Sequence, residues 1–363
     1  MNHKTKISIR GFLAFFLCFS LLLCPLSVSA AGAAVNEDVR VGSRIFDLFF
    51  GKQQSTEKTL FLCPGGQAFG MKIRTQGLTV SVITNPEAPI AKQLLLGDIL
   101  LSVNGTKLEN EATLYQALEN TKGPLALTVL RGKEKKTLLI PPIEAQNDAP
   151  LGIEVKSTAA GIGTVTYIDP ESGAFGGLGH GICAPDTGEI YPMKSGTVTE
   201  VILGGVLRGL AGKPGELRGV LSRNEIGKLD KNTACGVFGT LSLEGRKLPQ
   251  AIPVGTRAEL TLGEAEILSS LKNGTPQRYS IRITEIDRSA TDSKSFRIEV
   301  TDPTLIALTG GIVRGMSGSP IIQNGKLVGA VTQVLVANPT EGNGIFIENM
   351  LNAAQQQALP KAA

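Results

Sequence analysis

From residue 60 onward the apolar positions fall in short runs cut by glycine, proline and asparagine, the texture of strands joined by tight turns. Residues 60–67 lead into 69–73, residues 78–83 are strand-like, and 88–92 run on to 96–100. Asn104-Gly105, after Val103, reads as an Asn-Gly turn between apolar strands. Residues 111–119 change period, with Leu114 and Leu118 recurring at helical spacing on one face. Runs at 125–130 and 136–140 flank Arg131-Gly132-Lys133 and close a second hairpin. Pro141, Pro142 and the polar stretch 143–150 read as a linker. Further short runs follow at 161–168, 173–181, 196–203, 235–243, 259–262, 279–286, 296–300 and 321–336. Such regular strands predict a sandwich or barrel, and about 205 residues suit a pair of barrels. Residues 352–363 read as a helical or frayed tail.

The N-terminal texture differs. Lys4, Lys6 and Arg10 precede an uncharged, mostly apolar run at 11–23. Pro25 and small residues at 27–31 follow, with Val28 and Ala30 suited to a signal peptidase. Residues 1–30 therefore read as an export signal. If the run extends through 24–34 they read instead as a retained anchor, since a spanning helix needs about 20 residues. Either way the bulk of the chain is expected outside the cytoplasmic membrane, across it or anchored to it. Residues 31–65 are a weakly patterned linker or N-terminal region.

The chain has 363 residues, of which 42% are hydrophobic, with 43 glycines and no tryptophan. That is enough for true cores and favours turn-rich β structure over helical bundles. A net charge of +4, partly from the leader, gives no ground for nucleic-acid binding. Beyond Cys18 and Cys24 of the leader, Cys63, Cys183 and Cys235 are widely spaced and lack a CxxC pair. They form neither a disulfide framework nor a zinc site, and no metal or organic cofactor is implied.

Candidate chemistry concentrates in two glycine-framed runs. GMSGSP, residues 315–320, boxes Ser317 between glycines that let the backbone turn tightly and expose a hydroxyl. The N–H groups of Gly315 and Ser317 are then the candidate oxyanion hole. Ser319 is the neighbouring alternative nucleophile. A serine needs an adjacent base, and the only histidine beyond the leader is His180, in GGLGHGI. Cys183, three residues later, is a second candidate nucleophile or simply a small buried residue. Asp302, before Pro303, is the candidate third member of a triad, or the N-cap of the helix-like run at 304–308. Asp169 and Asp186 are its rivals.

Two resemblances follow from these motifs. GDILLSVNG at 97–105, the helix after it and the hairpin LTVLRGKEKKTLLI resemble a PDZ domain covering residues 66–142. In such a domain an extended peptide adds to a sheet edge, and Phe69, Gly70, Met71, Lys72 and Ile73 would form that binding strand. Together with the signal segment, GLGH and GGIVRGMSGSPIIQNGKLVGAVT, the chain resembles the stage IV sporulation protein B peptidases of endospore-forming bacteria. The resemblance implies a mainly β chain with a chymotrypsin-like double barrel at 151–351 and a His180–Asp302–Ser317 triad. It implies a serine endopeptidase made in the forespore and exported to the space between two membranes. There it would cut itself and the extracytoplasmic part of a membrane-bound regulator, freeing an intramembrane metalloprotease to activate a late sigma factor. Gln333 stands where many relatives have histidine. A general envelope quality-control protease and a non-catalytic PDZ scaffold are the other readings.

Overall fold

The computed structural model describes residues 59–356 apart from 133, 143–150, 185–186 and 273–274. The expected leader, most of the 31–65 region, the 143–150 linker and the end of the tail lie outside the described residues. Among these, strands dominate, and no helix is long and apolar enough to cross a membrane.

The chain enters through β1 (Phe61–Pro64) and β2 (Ala68–Ile83). The two apolar runs at 69–73 and 78–83 are one strand, bent at an irregularity between Arg74 and Thr79 where Gly77 takes φ 82°. A small module follows: β3 (Ile99–Val103), β4 (Thr106–Lys107), α1 (Glu111–Glu119), β5 (Leu125–Arg131) and β6 (Glu134–Ile140). The expected turn is present: Val103 pairs with Thr106, and Asn104 and Gly105 take φ 49° and 82°. α1 starts at a capping box in which Asn110 and Thr113 exchange hydrogen bonds. It buries Leu114 against Leu78, Leu100, Leu127 and Ile140, all inaccessible to solvent.

Next comes β7 (Ile153–Ile168), a 16-residue strand that crosses the molecule. β8 (Ala174–Gly177), β9 (Met193–Leu207), β10 (Glu216–Thr233), β11 (Gly236–Leu241) and β12 (Ile252–Pro253) complete the first half. The ladders close a ring of six strands, β2–β7–β8–β11–β10–β9 and back to β2. Phe69, Met71, Ile73, Val165, Phe175 and Val198 fill it. The module's sheet and this ring therefore share β2, and the passage from one to the other falls within that strand.

A second barrel is closed by β13 (Gly263–Ser269), β14 (Gln277–Ile286), β15 (Phe296–Val300), β16 (Pro320–Gln323), β17 (Lys326–Leu335) and β18 (Asn338–Phe346). β14 and β15 alternate buried and exposed positions, whereas β16 and much of β17 and β18 are buried in continuous runs. Ile267, Tyr279, Ile281 and Ile298 point inward, while Glu264, Glu266, Arg278, Arg282 and Glu299 form cross-strand ion pairs outside. α2 (Pro303–Thr309) interrupts it between β15 and β16, and α3 (Ile347–Gln355) follows β18. Residues up to 355 of the expected frayed tail are thus helical.

One polar group is buried in the small module. Asp98, 1% exposed, accepts Arg131 Nε at 2.8 Å, Arg131 Nη2 at 2.6 Å and the Leu95 N–H at 2.8 Å. Arg131 also donates to the Gln93 carbonyl at 2.9 Å. The bidentate pair clasps the loop before β3 to the end of β5. Asp98→Ala leaves the Leu95 N–H without its acceptor and a half-buried guanidinium with only the Gln93 carbonyl, and should cost about 2–3 kcal/mol, read as a lowered denaturation midpoint. Arg131→Lys, which cannot make the fork, should retain only part of the stability.

Candidate active site

The segment from Gly310 to Pro320 leaves α2 and enters β16 as a sequence of tight turns. Gly310, Gly315 and Gly318 take φ 78°, 97° and 94°, a region closed to ordinary side chains. At Gly318 space is also decisive: a Cβ there would lie 2.0 Å from the Thr164 carbonyl and 2.5 Å from the Leu178 nitrogen. The loop is pressed onto β7, whose threonines hold its carbonyls. Thr164 Oγ1 donates to Gly315 O at 2.7 Å, the Thr164 N–H to Ser317 O at 3.0 Å, and Thr166 Oγ1 to Gly318 O at 2.8 Å. Among the described residues neither the Gly315 N–H nor the Ser317 N–H donates a hydrogen bond. The two serines differ sharply: Ser317 is half-buried and Ser319 is inaccessible, its hydroxyl without a partner. Ser317 Oγ donates to the Thr332 carbonyl at 2.6 Å.

His180 arrives from the first ring. β8 ends at Gly177, and Leu178 and Gly179 both take left-handed φ, 66° and 69°. For leucine that conformation costs about 1–2 kcal/mol. It is held by burial and by the Leu178 N–H donating to Thr164 O at 3.3 Å. Gly179 abuts Thr332, since a Cβ on it would stand 2.8 Å from the Thr332 methyl. Thr164 and Thr332 thus touch both loops, which brings the histidine and serine segments to one seam. They are not hydrogen-bonded to each other, because each side chain is engaged with a carbonyl.

His180 Nδ1 lies 2.9 Å from Gly181 O. A carbonyl only accepts, so Nδ1 carries the proton and Nε2 keeps its lone pair, the tautomer a general base needs. Burial holds the imidazole pKa below its ordinary value, and the Gly181 carbonyl opposes this more weakly. The ring is neutral at neutral pH.

Asp302 is not joined to His180. One carboxylate oxygen accepts the Leu305 N–H at 2.9 Å as the N-cap of α2, and the other the Ser280 N–H at 3.3 Å. Asp169 accepts the N–H groups of Glu171 and Ser172 in its own turn, and Asp186 lies outside the described residues. Cys183 is exposed, but partial burial pushes its thiol pKa up, which disfavours the thiolate. Among the described residues no cluster of His, Cys, Asp or Glu could hold a metal. The strand at Phe69–Ile73 corrects another expectation. It is paired on both sides, Gly70 to Ile162 and Thr199, Ile73 to Ala159 and Gly196, and Phe69, Met71 and Ile73 point into the ring. With no free edge it cannot accept an added peptide strand. Thr164, Thr166 and Thr332 escaped sequence reading because a threonine in an apolar run looks like any strand former.

The family model described as SpoIVB peptidase S55 matches residues 147–351. No curated protein matches the chain. Among solved structures, the Rv3671c protease from M. tuberculosis in its active form is 14% identical, over 56% of this chain and 78% of that one, with a TM-score of 0.34. The HtrA-type protease AlgW with decapeptide is 10% identical, over 80% of this chain and 64% of that one, with a TM-score of 0.34. Superpositions this loose say nothing about individual residues.

Two outcomes follow from the geometry. An imidazole with a lowered folded pKa resists a proton that the unfolded chain accepts. Its contribution to stability is therefore complete above about pH 6.5 and is lost as pH falls from there towards the folded value. The slope from this one group is at most about 1.4 kcal/mol per pH unit, and His180→Asn should remove it from the pH dependence of thermal unfolding. Asp302→Ala should cost about 1 kcal/mol through the lost helix cap. It should leave any hydrolytic rate, and the acid limb of its pH profile, within a few-fold of the parent in the folded protein.

Proposed function

The chain belongs to the SpoIVB peptidase S55 family, and from that premise we propose an exported serine endopeptidase in which Ser317 attacks and His180 is its base. The observation that carries this reading is an imidazole whose Nδ1 faces the Gly181 carbonyl at 2.9 Å, on the same seam as a glycine-framed hydroxyl and two uncommitted N–H groups. On substrate binding the Ser317 hydroxyl leaves the Thr332 carbonyl. Its proton passes to His180 Nε2 as Oγ bonds to the scissile carbonyl carbon. The N–H groups of Gly315 and Ser317 receive the oxyanion. The imidazolium then gives its proton to the amine nitrogen as the C–N bond breaks. Water then gives a proton to the same ring as its oxygen bonds to the acyl carbon, and the ring returns that proton to Ser317 Oγ as the C–Oγ bond breaks.

The wider role is inferred from the family and the leader. We read the enzyme as facing the space outside the cytoplasmic membrane, cutting itself and the extracytoplasmic part of a membrane-bound regulator of an intramembrane protease in sporulation. The module around α1 fits a PDZ-like regulatory unit.

A fluorophosphonate probe should label the full chain, with loss of labelling in Ser317→Ala and at least a hundredfold slowing in His180→Ala. Labelling that persists in Ser317→Ala overturns the assignment of the nucleophile. Co-expression with the candidate regulator should yield fragments, mapped by mass spectrometry, that disappear in Ser317→Ala.

A further inference from the structure

The carbonyl that orients His180 belongs to the peptide between Gly181 and Ile182, one rigid planar amide. Its two ends are occupied from opposite sides. The carbonyl takes the His180 Nδ1 proton at 2.9 Å, and the Ile182 N–H is taken by Asn232 Oδ1 at 2.8 Å. Asn232 lies near the end of β10. Its Nδ2 donates to Ile182 O at 2.9 Å and Tyr191 O at 3.0 Å. That fixes the side-chain amide, because a flip would set its oxygen against two carbonyls and its NH2 against an N–H. The peptide has little room to slide, since a Cβ on Gly181 would lie 2.8 Å from the Thr233 carbonyl.

We propose that Asn232 is a positioning residue for His180, acting through the Gly181–Ile182 peptide as a carboxylate acts by direct contact in a three-membered triad. It locks the peptide plane, so the Gly181 carbonyl faces Nδ1 and keeps the proton there. It also polarises that amide along the row Nδ1–H···O=C–N–H···Oδ1, which strengthens each bond. The inference rests on the reading of His180 as the base, and it names what holds that base when Asp302 does not.

The test uses the full chain carrying His3→Gln, so that His180 is the only imidazole, labelled with nitrogen-15 histidine. The parent should show the Nδ1–H tautomer by NMR. Asn232→Leu removes the acceptor and should shift the ring towards the Nε2–H form, with fluorophosphonate labelling slowed about a hundredfold. Asn232→Asp keeps an acceptor for the Ile182 N–H, while it loses the two donations and sets a carboxylate oxygen against the Ile182 and Tyr191 carbonyls. It should preserve the tautomer and label within about tenfold of the parent. Equal losses in both variants would mean a clamp without a role in proton placement and overturn the proposal. An Nε2–H tautomer in the parent overturns it even if neither variant folds. A parent that shows the Asn232-dependent tautomer yet is never labelled supports this inference and defeats the serine reading instead.

Discussion

Thr164 makes the contacts on which the site's geometry depends. Its hydroxyl and N–H take two carbonyls of the serine loop, and its own carbonyl takes the amide of the left-handed Leu178. One residue therefore fixes the separation of two loops that come from different barrels. Each such bond contributes only about 1 kcal/mol net, so its importance lies in geometry rather than stability. Gly318 is the counterpart constraint. With 2.0 Å between its would-be Cβ and Thr164 O, no other residue lets the serine loop lie against β7.

The imidazole is oriented by a neutral carbonyl instead of a carboxylate, and this has opposing consequences. A neutral acceptor stabilises an imidazolium less than an ionised one does, and burial depresses the pKa further. The base therefore stays unprotonated into mildly acidic conditions, but it gains less when the proton arrives. Ser317 meanwhile rests on the Thr332 carbonyl. Exchanging that acceptor for Nε2 replaces one hydrogen bond with another, so the energetic difference is small. Substrate contacts of ordinary strength are sufficient to decide which acceptor the hydroxyl uses.

What the sequence made legible is local. The Asn104-Gly105 turn, α1 with its buried Leu114 and the two glycine-framed loops each depend on neighbours within a few residues; β13 falls after the run read at 259–262. What it hid depends on distant partners. An alternating run such as Phe69–Ile73 looks the same whether its edges are free or paired to β7 and β9. An aspartate before a proline and a short apolar run looks the same as a cap or as a triad member, and the hydrogen bonds of Asp302 make it a cap. Asn232 and Thr164 act across 50 and 151 residues of chain, where no spacing rule reaches.

The continuity of β2 and β7 limits how the small module can influence the site. Their ladder runs, with irregularities, from the Ala68–Thr164 pair inside the ring to the Ile83–Ile153 pair beside the module. A module hung on a flexible tether can swing; one sharing a ladder with the barrel must break strand pairing to do so. β7 runs on from the Ile83–Ile153 pair into the ring. It reaches Thr164 and Thr166, the residues that grip Gly315, Ser317 and Gly318. Shifts well below an ångström at those threonines are enough to misalign donors whose catalytic value depends on preorganisation.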